Sequence, residues 1–368
     1  MRSPSAVRHP VLPAAMKIDV YNHVMPRPYL ELLKQHSKDA GIVKRMANLR
    51  MLWDIEARVE MLAARFPDVQ QVLTLALPPP EALGGPEASP GFARVANDGM
   101  AAMVARWPER FPAFVASLPM NNVTAALAEM DHAIGSLGAR GIQVCTSVNG
   151  RPLDEEEFMP VFERVTRVHG LAVWMHPIRP ATRADYPSEA KSKFEIWQVL
   201  GWPMETSVAM ARIVFSGLLE KLPDLRIVTH HCGAMIPFFA GRAETLWAQL
   251  GSRSVDESYE ALLAGFSKAP IDYFRMFYAD TVLGGSTAAL RCGLDFFGTD
   301  KVVFASDCPF DPEGGPMFIR EGLRSIEDLG LGAEDNHKIL CGNAQKLLRP
   351  AYRHLDADPA SVQPGEFE

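Results

Sequence analysis

Eight short runs rich in β-branched and other apolar residues recur along this sequence, at 18–21, 71–77, 113–118, 141–146, 171–176, 226–230, 277–281 and 302–306. Most are nearly continuously apolar, as strands covered on both faces must be. The intervening segments 54–65, 93–106, 123–135 and 158–169 carry the periodicity of amphipathic helices. Strand alternating with helix implies a parallel sheet. Eight such units, with no Gly-rich linker between them, favour one closed (β/α)8 TIM barrel, an α/β fold, over an open doubly wound sheet. We assign residues 16–350 to that single domain. Residues 1–15, with Pro4, Pro10 and Pro13, read as a disordered lead, and the polar stretch 351–368 as a tail that frays. The proline-rich segment 78–90 reads as a loop over the barrel mouth.

Composition removes several classes of function. Lys+Arg number 37 against 44 Asp+Glu, a net charge of −7, which gives no basic footprint for nucleic acid. No stretch approaches the roughly 20 consecutive apolar residues that cross a bilayer, so no membrane span is expected. The five cysteines, Cys145, Cys232, Cys292, Cys308 and Cys341, are widely spaced with no C-x-x-C pair, which fits a reducing, cytoplasmic setting. Neither a G-x-G-x-x-G nor a Walker-type sequence follows a strand, so a nucleotide cofactor has no support.

In a parallel barrel the loops after the strands converge on one mouth, and function collects there. Metal-ligand side chains stand at four strand ends: His23 after the first, His176 at the fifth, His230 and His231 at the sixth, and Asp307 at the eighth. Imidazole nitrogen and carboxylate oxygen suit zinc and similar divalent ions. Alternation sends adjacent side chains of a strand to opposite sides, so one of His230 and His231 is expected at the mouth and the other in the wall.

These residues resemble the aminocarboxymuconate-semialdehyde decarboxylase group of the amidohydrolase superfamily, from Met16 to about Arg349. The group's strand-one I-D-x-H-x-H-x-x-P is matched by Ile18-Asp19-Val20-Tyr21-Asn22-His23-Val24-Met25-Pro26. Its H-P is His176-Pro177, its histidine with proline six and arginine eleven residues on is His231, Pro237 and Arg242, and its S-D-x-P is Ser306-Asp307-Cys308-Pro309. The resemblance implies one divalent metal, zinc first and manganese second, held by His23, His176 and Asp307. It further implies that His231 handles protons, that Asp307 takes part in catalysis, that Arg242 binds substrate carboxylate, and that the chain is a homodimer in which Arg242 reaches a neighbour's mouth. It selects His231 for the mouth and leaves His230 to the wall. The chain departs from the pattern at Tyr21, where the first histidine of H-x-H would stand. A phenol is a weak ligand until deprotonated. Three readings stay open: Tyr21 ligates as phenolate, water or substrate fills the place, or the metal has been lost. The fourth strand has no lysine to bridge a second ion.

A metal with a proton-handling histidine serves non-oxidative decarboxylation of a small aromatic or unsaturated acid, which needs carbon protonated and electrons stabilised as CO₂ leaves. The rival reading is a metal-dependent hydrolase of an amide, lactone or ring-cleavage product, and a metal-free binding barrel is the third. Candidate substrate anchors are Arg242 and Arg179, with Arg183, Arg45, Arg50 and Arg58 behind them. Tyr21, Trp197, Trp202 and Trp174 are the aromatics near the expected mouth.

Overall fold

A computed structural model describes residues 16–254 and 259–349, so the lead at 1–15, residue 350 and the tail at 351–368 lie outside the described residues. Eight parallel strands follow in chain order: β1 (Lys17–Val24), β2 (Val69–Leu75), β3 (Ala116–Ser117), β4 (Gly141–Cys145), β5 (Ala172–His176), β6 (Ile227–Thr229), β7 (Tyr278–Asp280) and β8 (Val302–Val303). Each overlaps one of the apolar runs. β1 pairs with β2, and β3 through β8 form one continuous ladder. Backbone bonds join the two sheets at both seams. Val115 N–H donates to the Leu73 carbonyl at 2.9 Å, Val20 N–H to that of Phe304 at 3.0 Å, and Asp307 N–H to that of Tyr21 at 3.0 Å. The barrel is closed.

Alternation along the strands sorts the apolar side chains into two layers. Val20, Val72, Val115, Trp174, Val228, Val303 and Ala305 fill the barrel interior, while Val173, Met175 and Ile227 face outward into a second apolar layer. That outer layer is completed by helices α1 (Ala40–Asn48), α2 (Ile55–Arg65), α3 (Ser89–Arg106), α4 (Val123–Gly135), α5 (Gly201–Phe215), α6 (Ala240–Trp247), α7 (Thr287–Phe297) and α8 (Pro316–Glu327). Burying one such aliphatic or aromatic side chain contributes about 1.5–3 kcal/mol. Asp54 and Asn122 cap α2 and α4 by accepting from the Ala57 and Ala125 amides.

Two expectations change. Segment 78–90 is not simply a loop: it holds the one-turn helix Pro80–Leu83 and the first residues of α3. Proline is tolerated at both starts because its missing N–H would be unbonded there anyway. The segment 158–169 is helical, but its regular turn Met159–Glu163 widens into a π turn over Arg164–Val168.

A buried polar clasp fastens the first strand to the last. Asp19 accepts from Ser306 N–H at 3.0 Å, from Ser306 Oγ at 2.5 Å and from Gln71 Nε2 at 2.8 Å. Gln71 Oε1 in turn accepts from Arg58 Nε at 2.8 Å, and Arg58 donates onward to the His23 carbonyl at 2.6 Å and to Asn22 Oδ1 at 2.8 Å. Arg58 is fully buried in this role, which withdraws it from the substrate anchors. Burial outweighs the hydrogen bonds to Asp19 and lifts its carboxyl to about 6.

Candidate metal centre at the barrel mouth

Parity along two strands decides what reaches the centre. Trp174 points into the barrel, so His176, two residues on, does too. Val228 is interior as well, and the same step brings His230 inward. His230 is therefore not a wall residue, which corrects the expectation that His231 alone faces the mouth. β6 ends at Thr229, and the chain then enters left-handed backbone at His231 (φ 57°) and Cys232 (φ 56°). Beyond that point strand alternation no longer applies, and His231 also reaches the mouth, beside Asp307, Met235 and Val282.

Three imidazoles are oriented alike. The Thr74 hydroxyl donates to the Asn22 carbonyl at 2.5 Å, so its oxygen is left to accept from His23 Nδ1 at 3.2 Å. His176 Nδ1 donates to the Pro177 carbonyl at 2.7 Å. His230 Nδ1 donates to Asp280 Oδ2 at 2.5 Å. With each Nδ1 proton committed, the three Nε2 atoms are the ones left to bind at the centre. The side chains are 0%, 3% and 0% exposed, and donor atoms of the three lie within 4.8 Å of one another. His23 Nε2 and His230 Nε2 have no hydrogen-bond partner despite full burial. Asp307 Oδ1 lies 3.2 Å from the first and 3.6 Å from the second. Two donors bonded to one tetrahedral ion at about 2.0–2.2 Å sit roughly 3.3–3.6 Å apart, so the donor set fits a divalent cation.

Electrostatics at the centre agree. Burial lowers His23 and, more strongly, His176, leaving both neutral. Burial also opposes charge on His230, but Asp280 and then Asp307 outweigh it and lift His230 to about 9. The carboxylate pair thus demands a positive charge, which His230 carries when no ion does. Burial and the neighbouring His230 push His231 down to about 4. Burial would raise Asp307, yet the neighbouring His23 and His230 imidazoles hold it well below the carboxylate range. Asp307 keeps left-handed backbone at φ 63°, a strain of about 1–3 kcal/mol of the kind found at functional sites.

Tyr21 is fully buried, its hydroxyl is unpartnered, and its ring stacks on His230 with centroids 4.2 Å apart and planes 24° from parallel. Burial, then Cys145, Asp280 and Asp307, push its ionisation well above that of an ordinary phenol, which disfavours phenolate ligation.

Outside the donors a slot is walled by Trp197, Trp202, Phe310, Ile42, Met46 and Leu77. Trp202 meets His176 edge to face at 5.5 Å. Arg45 on α1 lines the same slot, with its guanidinium 5.4 Å from the Phe310 ring and Nη1 3.3 Å from Gln198 Oε1. The other arginines do not gather here. Arg179 pairs with Asp185 and Glu205, each at 3.5 Å, bracing the segment after β5 against α5, with its Nε left without a hydrogen-bond partner. Arg183 pairs with Glu205 and Arg50 with Asp54. Arg242 is exposed on α6, and Trp174 belongs to the barrel interior. Two residues escaped the sequence reading. His230 was assigned to the wall, although its parity with the apolar Val228 pointed inward. Asp280, a lone carboxylate closing an apolar strand, was not singled out.

A (β/α)8 barrel with metal donors at the C-terminal ends of its strands defines the class. The chain belongs to the amidohydrolase family, whose model matches residues 18–349. It is similar to the 2-amino-3-carboxymuconate-6-semialdehyde decarboxylase of Dictyostelium discoideum, 25% identical over 353 residues that span 91% of this chain and 92% of that protein. A gamma-resorcylate decarboxylase of Polaromonas sp. strain JS666 is 28% identical over 312 residues, 81% of this chain and 88% of its own length. Among solved structures, a dihydroxybenzoic acid decarboxylase from Polaromonas sp. JS666 with bound manganese and the inhibitor 2-nitroresorcinol superposes with a TM-score of 0.71 at 26% identity, covering 91% of this chain and 97% of that one.

Proposed function

We propose that the protein is a metal-dependent, non-oxidative decarboxylase of a small aromatic or unsaturated carboxylic acid. The observation that carries the reading is the buried donor set opening on a flat aromatic slot with one arginine in its wall. Relatives named as decarboxylases over nearly the whole chain support it. His23, His176 and Asp307 hold a single zinc- or manganese-class ion. Such an ion supplies Lewis acidity, taking up charge that develops on a chelated acid.

The chain's own groups do the rest. Trp197, Trp202 and Phe310 hold a planar acid flat, and Arg45 pairs with an anionic group of the substrate. The bond between the carboxyl carbon and its neighbour breaks, CO₂ leaves, and the electron pair stays on the substrate carbon, which then takes a proton. His231 handles that proton. Held near 4, it enters the reaction neutral, so it must collect the proton before it delivers it.

A homodimer accompanies the reading. Met204, Val208, Met235, Phe238 and Phe239 are exposed beside the mouth, Phe238 by 77%, and Arg242 follows on α6. Covering these residues with a second copy would bury them and carry Arg242 towards a neighbouring site. Five free cysteines, four of them buried, suit a reducing compartment such as the cytoplasm.

The test is CO₂ release by metal-loaded protein from gamma-resorcylate, 2-amino-3-carboxymuconate-6-semialdehyde and related acids. Stoichiometric CO₂ without consumption of water supports the lyase. Hydrolysis of amides or lactones with no CO₂ from any acid would replace it with the hydrolase.

A further inference from the structure

The departure at position 21 raises the question of what completes the metal-binding set. We propose that His230, and not Tyr21, is the fourth ligand, and that Tyr21 is a positioning residue whose ring fixes the His230 imidazole. The inference rests on the metal-dependent reading above.

Four observations converge on His230. Its inward direction follows from Val228, two residues earlier on the same strand. Its Nδ1 is committed to Asp280 Oδ2, the carboxylate–histidine arrangement that orients metal ligands and raises their basicity. Its Nε2 is buried without a hydrogen-bond partner and stands 3.6 Å from Asp307 Oδ1. Its ring centroid lies 5.2 Å from that of His176 and 5.8 Å from that of His23, so the three donors surround one point. Asp280 is itself held fast, since its Oδ1 accepts from the Cys232 and Val282 amides at 2.9 and 3.1 Å.

Tyr21 has the opposite character. It lies face to face with His230 and tilted by 55° and 57° to His23 and His176. A ring stacked on an imidazole limits its rotation, as Asp280 limits it at the edge. Strand one therefore contributes one ligand, His23, and the place lost there is refilled from strand six. Three imidazoles and one carboxylate would occupy four positions of an ion, so an ion that also bound substrate would have to accept more than four donors.

Metal-free protein titrated with Mn²⁺, Zn²⁺ and Co²⁺ by calorimetry, with the visible spectrum of the Co²⁺ form, tests the assignment without reference to turnover. Tyr21→Phe, which keeps the ring and removes the oxygen, should bind within about threefold of the parent and leave the Co²⁺ spectrum unchanged. Tyr21→Ala should bind more weakly, and the phenylalanine variant then counts as the rescue. His230→Ala should lose about 100-fold or more and change the spectrum, and Asp280→Asn about 10–100-fold. If His230→Ala does not fold, His230→Gln replaces it, with circular dichroism to certify the fold. Loss of the ion from Tyr21→Phe with its retention in His230→Ala or His230→Gln would overturn the proposal. The expected affinities in a protein that releases CO₂ from no acid would leave the ligand assignment standing and sink only the decarboxylase reading.

Discussion

At the end of β1 the chain offers one imidazole, His23, beside a buried phenol; at the end of β6 it offers two adjacent imidazoles, His230 and His231. The first end is continuous strand through Val24, with one irregularity in its pairing with β2 between Asp19 and Asn22. The second leaves strand geometry at Thr229 and turns left-handed at His231, which lets neighbouring residues share one mouth. On the ligand set proposed above, the place lost at Tyr21 on β1 is regained where the backbone bends after β6.

The largest effect that tests this contrast is expected at the residue common to both ends. Asp307 lies within reach of His23 and His230, so Asp307→Ala should weaken metal binding by more than about 100-fold and abolish turnover, as read by metal analysis and CO₂ release. Retained metal would show that the two ends do not meet at one ion. Next comes His231, the member of the pair left to handle protons. His231→Ala should keep its metal and lose about 10²–10⁴-fold in kcat. Equal loss of metal in His231→Ala and His230→Ala would erase the division of labour between them.

A smaller effect belongs to the slot rather than to either end. Arg45→Ala should raise KM for an anionic substrate about 10–100-fold, the value of roughly 1.5–3 kcal/mol for a charged hydrogen bond, while Arg45→Lys recovers part of it. An unchanged KM would pass the anchoring role to Arg242. The smallest is a control remote from both strand ends. Glu81 is buried with one unpartnered oxygen, and burial lifts its carboxyl from 4.5 to about 8. A carboxyl raised on folding stabilises fully below its unfolded value near 4.5, and that contribution is lost as pH rises through 8. Glu81→Gln should therefore gain Tm relative to the parent between pH 5 and 8, and parallel melting curves across that range would contradict it.

All eight strands were legible because strands buried on both faces must be apolar, whatever their length in the finished barrel. His23, His176 and Asp307 were legible as polar residues closing such runs. The sorting of His230 and His231 was not, because the six-residue step from His231 to Pro237 and the parity set by Val228 point to different members of the pair. Arg179 shows a different limit: its partner Asp185 lies on a long excursion after β5 whose path has no periodic signal, and its second partner, Glu205, lies beyond that excursion on α5. Arg58 falls between these cases. Its place in α2 could be read from periodicity, but its use as a brace under His23 depends on contacts with β1, β2 and the Cys308 carbonyl.

The clasp of Asp19, Ser306, Gln71 and Arg58 carries a consequence for the life of the chain. His23 comes from the first strand and Asp307 follows the last, with more than three quarters of the polypeptide between them. On the proposed ligand set, an ion would have no complete binding place during synthesis until Asp307 has emerged and the seam has shut. With those ligands, metal uptake would thus be tied to a highly non-local contact, the slow kind to form. A chain stopped short of Ser306 and Asp307 would lack both the clasp and the carboxylate of the donor set, and would keep the three imidazoles without the contact that shuts the barrel around them.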